Sequence, residues 1–224
     1  MKIKLFRNFK GYEPFYQRMT ERGCNPTSKL YLLNMVEHIH TNKIKRNSVD
    51  IVITSPPYGD SHTTLAYGQY YRLSSELIGI LKDNVNSMSM GGKRIQFSTQ
   101  FCCNSLDDAI SEVKKVNSKR AMEVDSFYTD LKNSIENVSK VIKIGGYACF
   151  VVANTKVAGI SLPADEAIEH FFENCGFSHV DTFRRAIPNK RMPSRNSPSN
   201  ITGKTDETIS REFIVIMQKG SFEK

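Results

Sequence analysis

Apolar residues in this chain are concentrated in short runs, and several of the stretches before and between these runs have helical spacing. The clearest run is VDIVIT at 49–54, which is rich in β-branched residues and precedes two prolines. It predicts a strand that is buried on both faces and ends in a loop. YACFVVAN (147–154), FSHVDTFRRAI (177–187) and REFIVIMQK (211–219) predict three further strands. Because strands buried on both faces are typical of parallel sheets covered by helices, the pattern predicts an α/β fold.

Three stretches outside these runs predict helices. SKLYLLNMVEHIH at 28–40 is the first, and ADEAIEHFFENC, which follows Pro163, is the last. The strongest covers 123–143, with Gly145 and Gly146 as its expected C-terminal stop. Its apolar residues recur at spacings of three and four, which defines one buried face: Phe127, Leu131, Ile135, Val138 and Ile142.

The predicted elements divide the chain into an N-terminal helical segment, 1–42, and one domain, 43–224. Residues 59–122 show no sustained period, and we interpret them as an insertion in that domain. A second patternless stretch lies at about 184–210 and is far longer than the usual connection of about 4 to 6 residues. Long loops of this kind are commonly functional.

Charge and composition narrow the possible partners. The chain of 224 residues carries 31 Lys and Arg against 23 Asp and Glu, a net charge of +8 that suits a polyanion. No apolar run approaches the roughly 20 residues of a membrane span, and the N-terminus lacks a signal-peptide pattern, so we expect a cytoplasmic protein. The five cysteines form no C-x-x-C pair and the five histidines are scattered, which predicts reduced thiols and no metal site.

The residues after the first strand, Thr54-Ser55-Pro56-Pro57-Tyr58, carry the candidate chemistry. They follow the carboxyl end of a predicted parallel strand, the edge at which open α/β sheets bind ligands. An exocyclic amine of a nucleobase is a poor nucleophile, and a catalyst must accept its N–H hydrogens and hold the nitrogen in place. The Ser55 hydroxyl and the Pro56 carbonyl suit that task, Pro57 stiffens the loop, and Tyr58 offers a face on which an extruded base can stack.

DIVITSPPY resembles the catalytic motif of the S-adenosylmethionine-dependent DNA amino-methyltransferases, Asp/Asn/Ser-Pro-Pro-Tyr after a hydrophobic strand. GDSHTTLAYGQYYRLS, KIGGYACFVVAN and IPNKRMPSRNSP are similar to further segments of that family. The resemblance implies a Rossmann-like class I methyltransferase sheet, and S-adenosylmethionine bound beside Thr54 and Ser55. It also implies double-stranded DNA with a flipped target base as the substrate. Serine at position 55 favours N4 of cytosine over N6 of adenine.

The glycine-rich cofactor loop of that family is missing, because no G-x-G occurs in the chain. The four predicted strands resemble only the second half of the methyltransferase sheet, its strands four to seven. We therefore expect a split enzyme in which a second polypeptide supplies the cofactor-binding half, with 1–42 as a segment suited to docking on it. A disrupted gene with an inert product is the competing interpretation.

The long loop is the predicted site of DNA contact. We expect a protein of bacterial, archaeal or phage origin that is associated with the nucleoid. It is basic between Arg184 and Lys204, with amides that suit phosphates or base edges. Two tyrosines of the insertion are candidates for stacking on bases, although packing explains them equally well. The predicted nucleic-acid-binding residues are Arg184, Arg185, Asn189, Lys190, Arg191, Arg195, Lys204, Tyr67 and Tyr70.

Two other functions remain open at the level of sequence. One is an amino-methyltransferase of the same fold that acts on RNA or on a protein, for which asparagine in place of Ser55 is more usual. The other is a non-catalytic DNA-binding subunit that sets the specificity of a complete enzyme. Methylation at carbon five of cytosine is disfavoured, because that chemistry needs a Pro-Cys loop and the chain contains no Pro-Cys pair.

Overall fold

The computed structural model describes residues 2–24, 27–31, 33–37, 39, 43–58, 76–77, 79, 90–92, 95, 99–187, 195–196, 206–207, 209 and 211–221. The chain divides into two compact units, Met1–Leu32 and Leu33–Lys224. The first unit contains helix α1, Lys2–Glu21, with Pro14 inside it. No helix among the described residues is long and apolar enough to cross a membrane.

The second unit alternates helices and strands. In chain order its elements are β1 (Val49–Thr54), α2 (Asn104–Val116), α3 (Ser118–Val141), β2 (Ile142–Val152), β3 (Lys156–Val157), β4 (Ile160–Ser161), α4 (Ala164–Glu173), β5 (Phe177–Ala186), β6 (Arg195–Asn196), β7 (Asp206–Glu207) and β8 (Arg211–Lys219). The α/β class and all four long strands predicted from the sequence are therefore confirmed.

The four long strands form one mixed sheet in the order β1-β2-β8-β5. β1 runs parallel to β2, whereas β8 is antiparallel to both β2 and β5. β1 is thus an outer strand of this sheet, and β2 is its one neighbour among the described strands. Gly146 allows β1 to approach closely, because a Cβ atom there would lie 2.8 Å from the carbonyl oxygen of Asp50.

Helices α2, α3 and α4 bury one face of the sheet. Ala148, Phe150, Val215 and Met217 point to that face, and Val215 and Met217 are 0% exposed. The aromatic rings of Phe150 and Phe172 pack at a centroid distance of 5.0 Å, which joins the sheet to α4. The core of the unit lies between this face and the three helices.

The prediction that β1 is buried on both faces is wrong, because the opposite face of the sheet is exposed at β1. The side chains of Ile51 and Ile53 are 49% and 71% exposed. Strand register places them on the same face as Tyr147, Cys149 and Val151 of β2, and as Ile214, Ile216 and Phe183 further along the sheet. We call these eight residues the open face. Their apolar character has the pattern of a buried layer, yet helices α2, α3 and α4 of the same unit pack on the other side of the sheet.

The predicted helix over 28–40 is wrong, because the described residues of 27–37 are not helical. Asn34 explains the difference, since its side chain accepts a hydrogen bond from the backbone N–H of Val36 at 3.1 Å, a local bond that competes with a helix. The carbonyls of Met35 and Val36 accept hydrogen bonds from the Asn137 side chain of α3, which holds the segment in its non-helical form.

Two boundaries also differ from the prediction. Helix α2 lies inside the stretch interpreted as an insertion, and its residues Leu106, Ile110 and Val113 belong to the core. An insertion must therefore end before it. Helix α3 ends at Val141, and Gly145 and Gly146 lie within strand β2 and do not cap the helix.

Lys219 ties the end of helix α3 to the sheet. Its ammonium donates hydrogen bonds to the carbonyls of Ser139 and Ile142 at 2.7 and 2.8 Å, and to the Asn47 side chain at 3.1 Å. Burial lowers the pKa of this lysine below its ordinary value. The contact satisfies the Ser139 carbonyl in the last turn of α3, which has no partner within the helix, and the carbonyl of Ile142 directly after it.

Lys219→Met should reduce the free energy of unfolding by about 1–3 kcal/mol, because partly buried carbonyls lose their donor. Lys140→Met is the matched control, since the Lys140 ammonium donates to the Asn137 side-chain oxygen at 3.1 Å, a contact within one helix. Urea unfolding followed by circular dichroism measures both variants. Equal stabilities for the two variants would show that the cost of burying the Lys219 ammonium cancels its hydrogen bonds.

Candidate functional site

One end of each of the four long strands lies at the same edge of the sheet. β1 and β2 are parallel, so their carboxyl ends meet there, followed by Ser55 and Ala153 respectively. β8 is antiparallel to β2, so its amino end, with Glu212, lies at the same edge. β5 ends there with Arg184 and Arg185, which pair with Phe213 and Glu212. We call this the polar edge.

The predicted catalytic loop lies at the polar edge. Thr54 ends β1, Ser55 is exposed, and Pro56, Pro57 and Tyr58 are half-buried. Tyr58 packs against the hydrophobic core, which anchors the loop. The Ser55 Oγ and the Tyr58 hydroxyl oxygen are 3.2 Å apart and form a hydrogen bond. The structure thus places an exposed serine hydroxyl beside an anchored tyrosine.

A carboxylate from β8 completes this arrangement. The Tyr58 hydroxyl donates a hydrogen bond to Glu212 Oε1 at 3.1 Å, across 154 positions of sequence. Arg185 of β5 contacts the other oxygen, Oε2, through its Nε at 3.2 Å and its Nη2 at 2.5 Å. These hydrogen bonds raise the pKa of the Arg185 guanidinium above its usual value. Ser55, Tyr58, Glu212 and Arg185 therefore form one connected polar chain.

Among these four hydrogen-bonded residues, Glu212 is the one that was not predicted from the sequence. The available signal was a charged residue near the start of an otherwise apolar strand, REFIVIMQK. A charge at a strand end usually lies in solvent, so this signal alone does not distinguish a functional carboxylate. Only the pairing of β8 between β2 and β5 shows that the side chain of Glu212 is near Tyr58.

The predicted nucleic-acid-binding residues divide into two groups. Arg184 and Arg185 lie at the polar edge, and the guanidinium of Arg184 is 5.9 Å from the centre of the Phe213 ring. Arg195 belongs to β6, which pairs with β7. Outside the described residues lie Asn189, Lys190, Arg191, Lys204, Tyr67 and Tyr70.

The segment after β2 contributes a structural polar contact to the same edge. Asn154 accepts a hydrogen bond from the backbone N–H of Ala164 at 2.9 Å and donates one to Asp165 at 2.9 Å. It therefore caps the start of α4, where Pro163 provides no side-chain cap. In the part of the chain that the structure describes, no group of three His, Cys, Asp or Glu residues is arranged to hold a metal ion.

Comparison with known proteins identifies a sequence relative. The chain is 36% identical over 231 residues to the Type II methyltransferase M.MvaI of Kocuria varians, covering 96% of this chain and 50% of that protein. The chain thus spans about half the length of the curated relative it matches. No family model matches the chain.

Solved structures give a weaker likeness. A Thermus thermophilus protein assigned as a DNA modification methylase superimposes with a TM-score of 0.44 and 15% identity, over 88% of this chain and 56% of that one. Its complex with S-adenosyl-L-methionine superimposes with a TM-score of 0.38 and 15% identity, over 80% and 51% of the two chains.

Proposed function

We propose that this chain is the catalytic half of a DNA amino-methyltransferase, which transfers a methyl group from S-adenosylmethionine to an exocyclic amine, N4 of cytosine. The observation that carries the proposal is the Ser55-Pro56-Pro57-Tyr58 loop at the carboxyl end of β1, with Ser55 exposed and Tyr58 anchored. The extended similarity to M.MvaI supports the methyltransferase class. Serine at position 55 is the basis for preferring cytosine.

The loop acts on the amine of an extruded base. The Ser55 Oγ and the Pro56 carbonyl accept the two N–H hydrogens, which aims the nitrogen lone pair and raises its electron density. The aromatic face of Tyr58 stacks on the base, and the contact of Tyr58 with the core fixes the position of that face. Orientation is the main contribution of these residues, because the amine is neutral and weakly nucleophilic.

S-adenosylmethionine supplies an activated methyl group on a sulfonium. The residues of this chain fit the methyl-transfer side of such a site, because Thr54 and Ser55 lie at the sheet edge where α/β folds bind ligands. They do not provide a glycine-rich loop, since the chain contains no G-x-G. In this proposal Thr54 and Ser55 contact the cofactor, and its adenosine portion is held by a complementary half.

That complementary half is a second polypeptide in our proposal, and the open face is its docking surface. The chain aligns with half of the length of M.MvaI. The sheet of four long strands supports the expectation that the chain forms the second half of a methyltransferase sheet. Ile51 and Ile53 belong to the outer strand β1 and are 49% and 71% exposed. An apolar outer strand offers both a backbone edge for another strand and a face for a covering helix. The occupant is thus an α/β half-domain with an apolar helix layer and a glycine-rich loop.

DNA binds at the polar edge in this proposal. Arg184 and Arg185 end β5 there, and the predicted DNA-contacting loop leaves from β5 and returns to β8 at that same edge. The loop contributes Asn189, Lys190, Arg191, Arg195 and Lys204, and Tyr67 and Tyr70 stack on bases. Cations at this position meet phosphates and place the target base near Ser55.

The proposed function is tested by S-adenosylmethionine binding and methyl transfer. Calorimetry should show binding only when the chain is mixed with the product of a neighbouring gene that carries the glycine-rich loop. Tritiated methyl transfer to DNA, followed by nucleoside chromatography, should then yield N4-methylcytosine. Tight cofactor binding by the isolated chain would contradict the split arrangement, and transfer to RNA but not to DNA would contradict the substrate.

A further inference from the structure

The polar chain from Ser55 to Glu212 has a direction that follows from counting hydrogens. Tyr58 has a single hydroxyl hydrogen, and it donates that hydrogen to Glu212 Oε1 at 3.1 Å. In the hydrogen bond between Tyr58 and Ser55, 3.2 Å long, Tyr58 is therefore the acceptor and Ser55 the donor. The Ser55 hydrogen then points at Tyr58, and its lone pairs are left for another partner.

The orientation depends on Glu212 being an acceptor only. An ionised carboxylate has no hydrogen to donate, so it imposes the donor role on Tyr58. Arg185 supports the ionised form, because its guanidinium donates two charge-assisted hydrogen bonds, from Nε and Nη2, to the single oxygen Oε2. Among the described neighbours, Arg185 of β5 and Tyr58 of the loop contact the Glu212 carboxylate, while Arg184 lies over the ring of Phe213.

We infer that Glu212 is a positioning residue that fixes the Ser55 hydroxyl as a hydrogen-bond acceptor toward the substrate amine. The inference rests on the proposed function and explains how a serine performs that task. A free hydroxyl either donates or accepts, and only the accepting orientation draws electron density toward the amine nitrogen. Glu212 selects that orientation through Tyr58, in an arrangement of hydrogen bonds that is already in place before the base arrives.

The hydrogen bonds from Ser55 through Tyr58 to Glu212 also provide a route for the proton that methyl transfer releases. The amine lone pair forms the new N–C bond, and the electrons of the broken C–S bond stay on sulfur, which leaves the nitrogen with a positive charge and a proton to lose. That proton passes to the Ser55 Oγ as the proton of Ser55 passes to Tyr58 and that of Tyr58 passes to Glu212. Glu212 becomes neutral and then returns its proton to water.

Two variants separate this role from a purely structural one. Tyr58→Phe keeps the stacking ring and removes the hydroxyl, whereas Glu212→Gln keeps an acceptor oxygen and removes the charge that fixes its direction. Glu112→Gln is the matched control, because Glu112 is an exposed residue of α2 whose partner Lys115 belongs to the same helix. Circular dichroism and amide NMR spectra establish that all three variants are folded.

The first measurement needs no activity. With tyrosine labelled at Cζ, the resonance lost in Tyr58→Phe identifies Tyr58 in the isolated chain. It should move upfield in Glu212→Gln and stay in place in Glu112→Gln, because a phenol donates more strongly to a carboxylate than to an amide. An unmoved resonance in Glu212→Gln overturns the inference.

The second measurement is single-turnover methyl transfer with the complementary half present. Tyr58→Phe and Glu212→Gln should each slow the step about ten- to hundredfold without weakening cofactor or DNA binding. The double variant should be no slower than the slower of the two single variants, because both substitutions interrupt the same series of hydrogen bonds. A wild-type rate in Glu212→Gln, or additive losses, overturns the inference. If the wild-type mixture transfers no methyl group, the proposed function fails, and the NMR result alone decides the hydrogen-bond chain.

Discussion

Ser55→Ala should reduce methyl transfer to DNA by about a hundredfold or more, with the fold and DNA affinity retained. The reason is the loss of the side chain that the proposed function assigns as acceptor for the substrate amine, a contribution typical of acid–base groups at about 10²–10⁴-fold. Ser55 is exposed, so its truncation removes little packing. The measurement is single-turnover transfer of a tritiated methyl group with the complementary half present, alongside DNA binding by fluorescence anisotropy.

Ser48→Ala provides the control for that experiment. Ser48 is an exposed serine just before β1, and its hydroxyl donates to the Lys45 carbonyl, at 2.7 Å, within the same turn. It should leave the rate unchanged. Near-normal methylation by Ser55→Ala would mean that this chain is the non-catalytic DNA-binding subunit of a complete enzyme, the alternative that the sequence leaves open.

Ile53→Lys should weaken assembly with the complementary half by about 30-fold or more, which corresponds to roughly 2 kcal/mol at a buried interface position. The side chain is 71% exposed in the chain by itself, so the free energy of unfolding of the isolated chain should change by only about 0.5 kcal/mol. A lysine on the open face would bury an unpaired charge once the partner covers it. Analytical ultracentrifugation of the mixture measures the loss.

Two companion variants make the result specific. Ile51 lies on the same face as Ile53 and further from Ser55 along β1. Ile51→Lys should therefore weaken assembly as Ile53→Lys does, without contacting the loop. Val116→Lys replaces an apolar side chain that is 65% exposed at the end of α2, on the helical layer, and should leave assembly intact. Equal assembly by all three variants would place the docking surface elsewhere.

Elements with a strong local pattern were predictable. β8 was predicted at its observed limits, and α4 follows Pro163 and is followed by a turn containing Gly176, where φ is +82°. α3 was predicted from its apolar spacing, although it begins at Ser118. Each of these elements combines a hydrophobic period with a stop signal at its ends, so that local and tertiary preferences agree.

The failures occurred where tertiary contacts override the local pattern. Residues 28–40 have helical composition, but the Asn137 side chain holds the carbonyls of Met35 and Val36 in another conformation. α2 failed for a different reason: Leu106, Ala109, Ile110 and Val113 do have the helical spacing i, i+3, i+4 and i+7, but this short pattern lies inside a longer stretch, 59–122, that shows no sustained period. Its burial against α3 and α4, which no local rule reports, stabilises it.

The residues of the proposed catalytic loop were predictable from the local sequence. Ser55, Pro56, Pro57 and Tyr58 are consecutive, and a β-branched strand that stops at two prolines places such a loop at the edge of a sheet. Residue type and strand position are properties of a few neighbouring residues, so the sequence contains them.

Glu212 and the open face were decided only by the tertiary structure. The Tyr58–Glu212 contact spans 154 positions and exists because β8 pairs antiparallel beside β2. The apolar run of β1 predicts burial on both faces, yet its outer position in the sheet leaves Ile51 and Ile53 exposed. Hydrophobic periodicity records which faces avoid water, but which element covers each face depends on contacts between residues far apart in the chain.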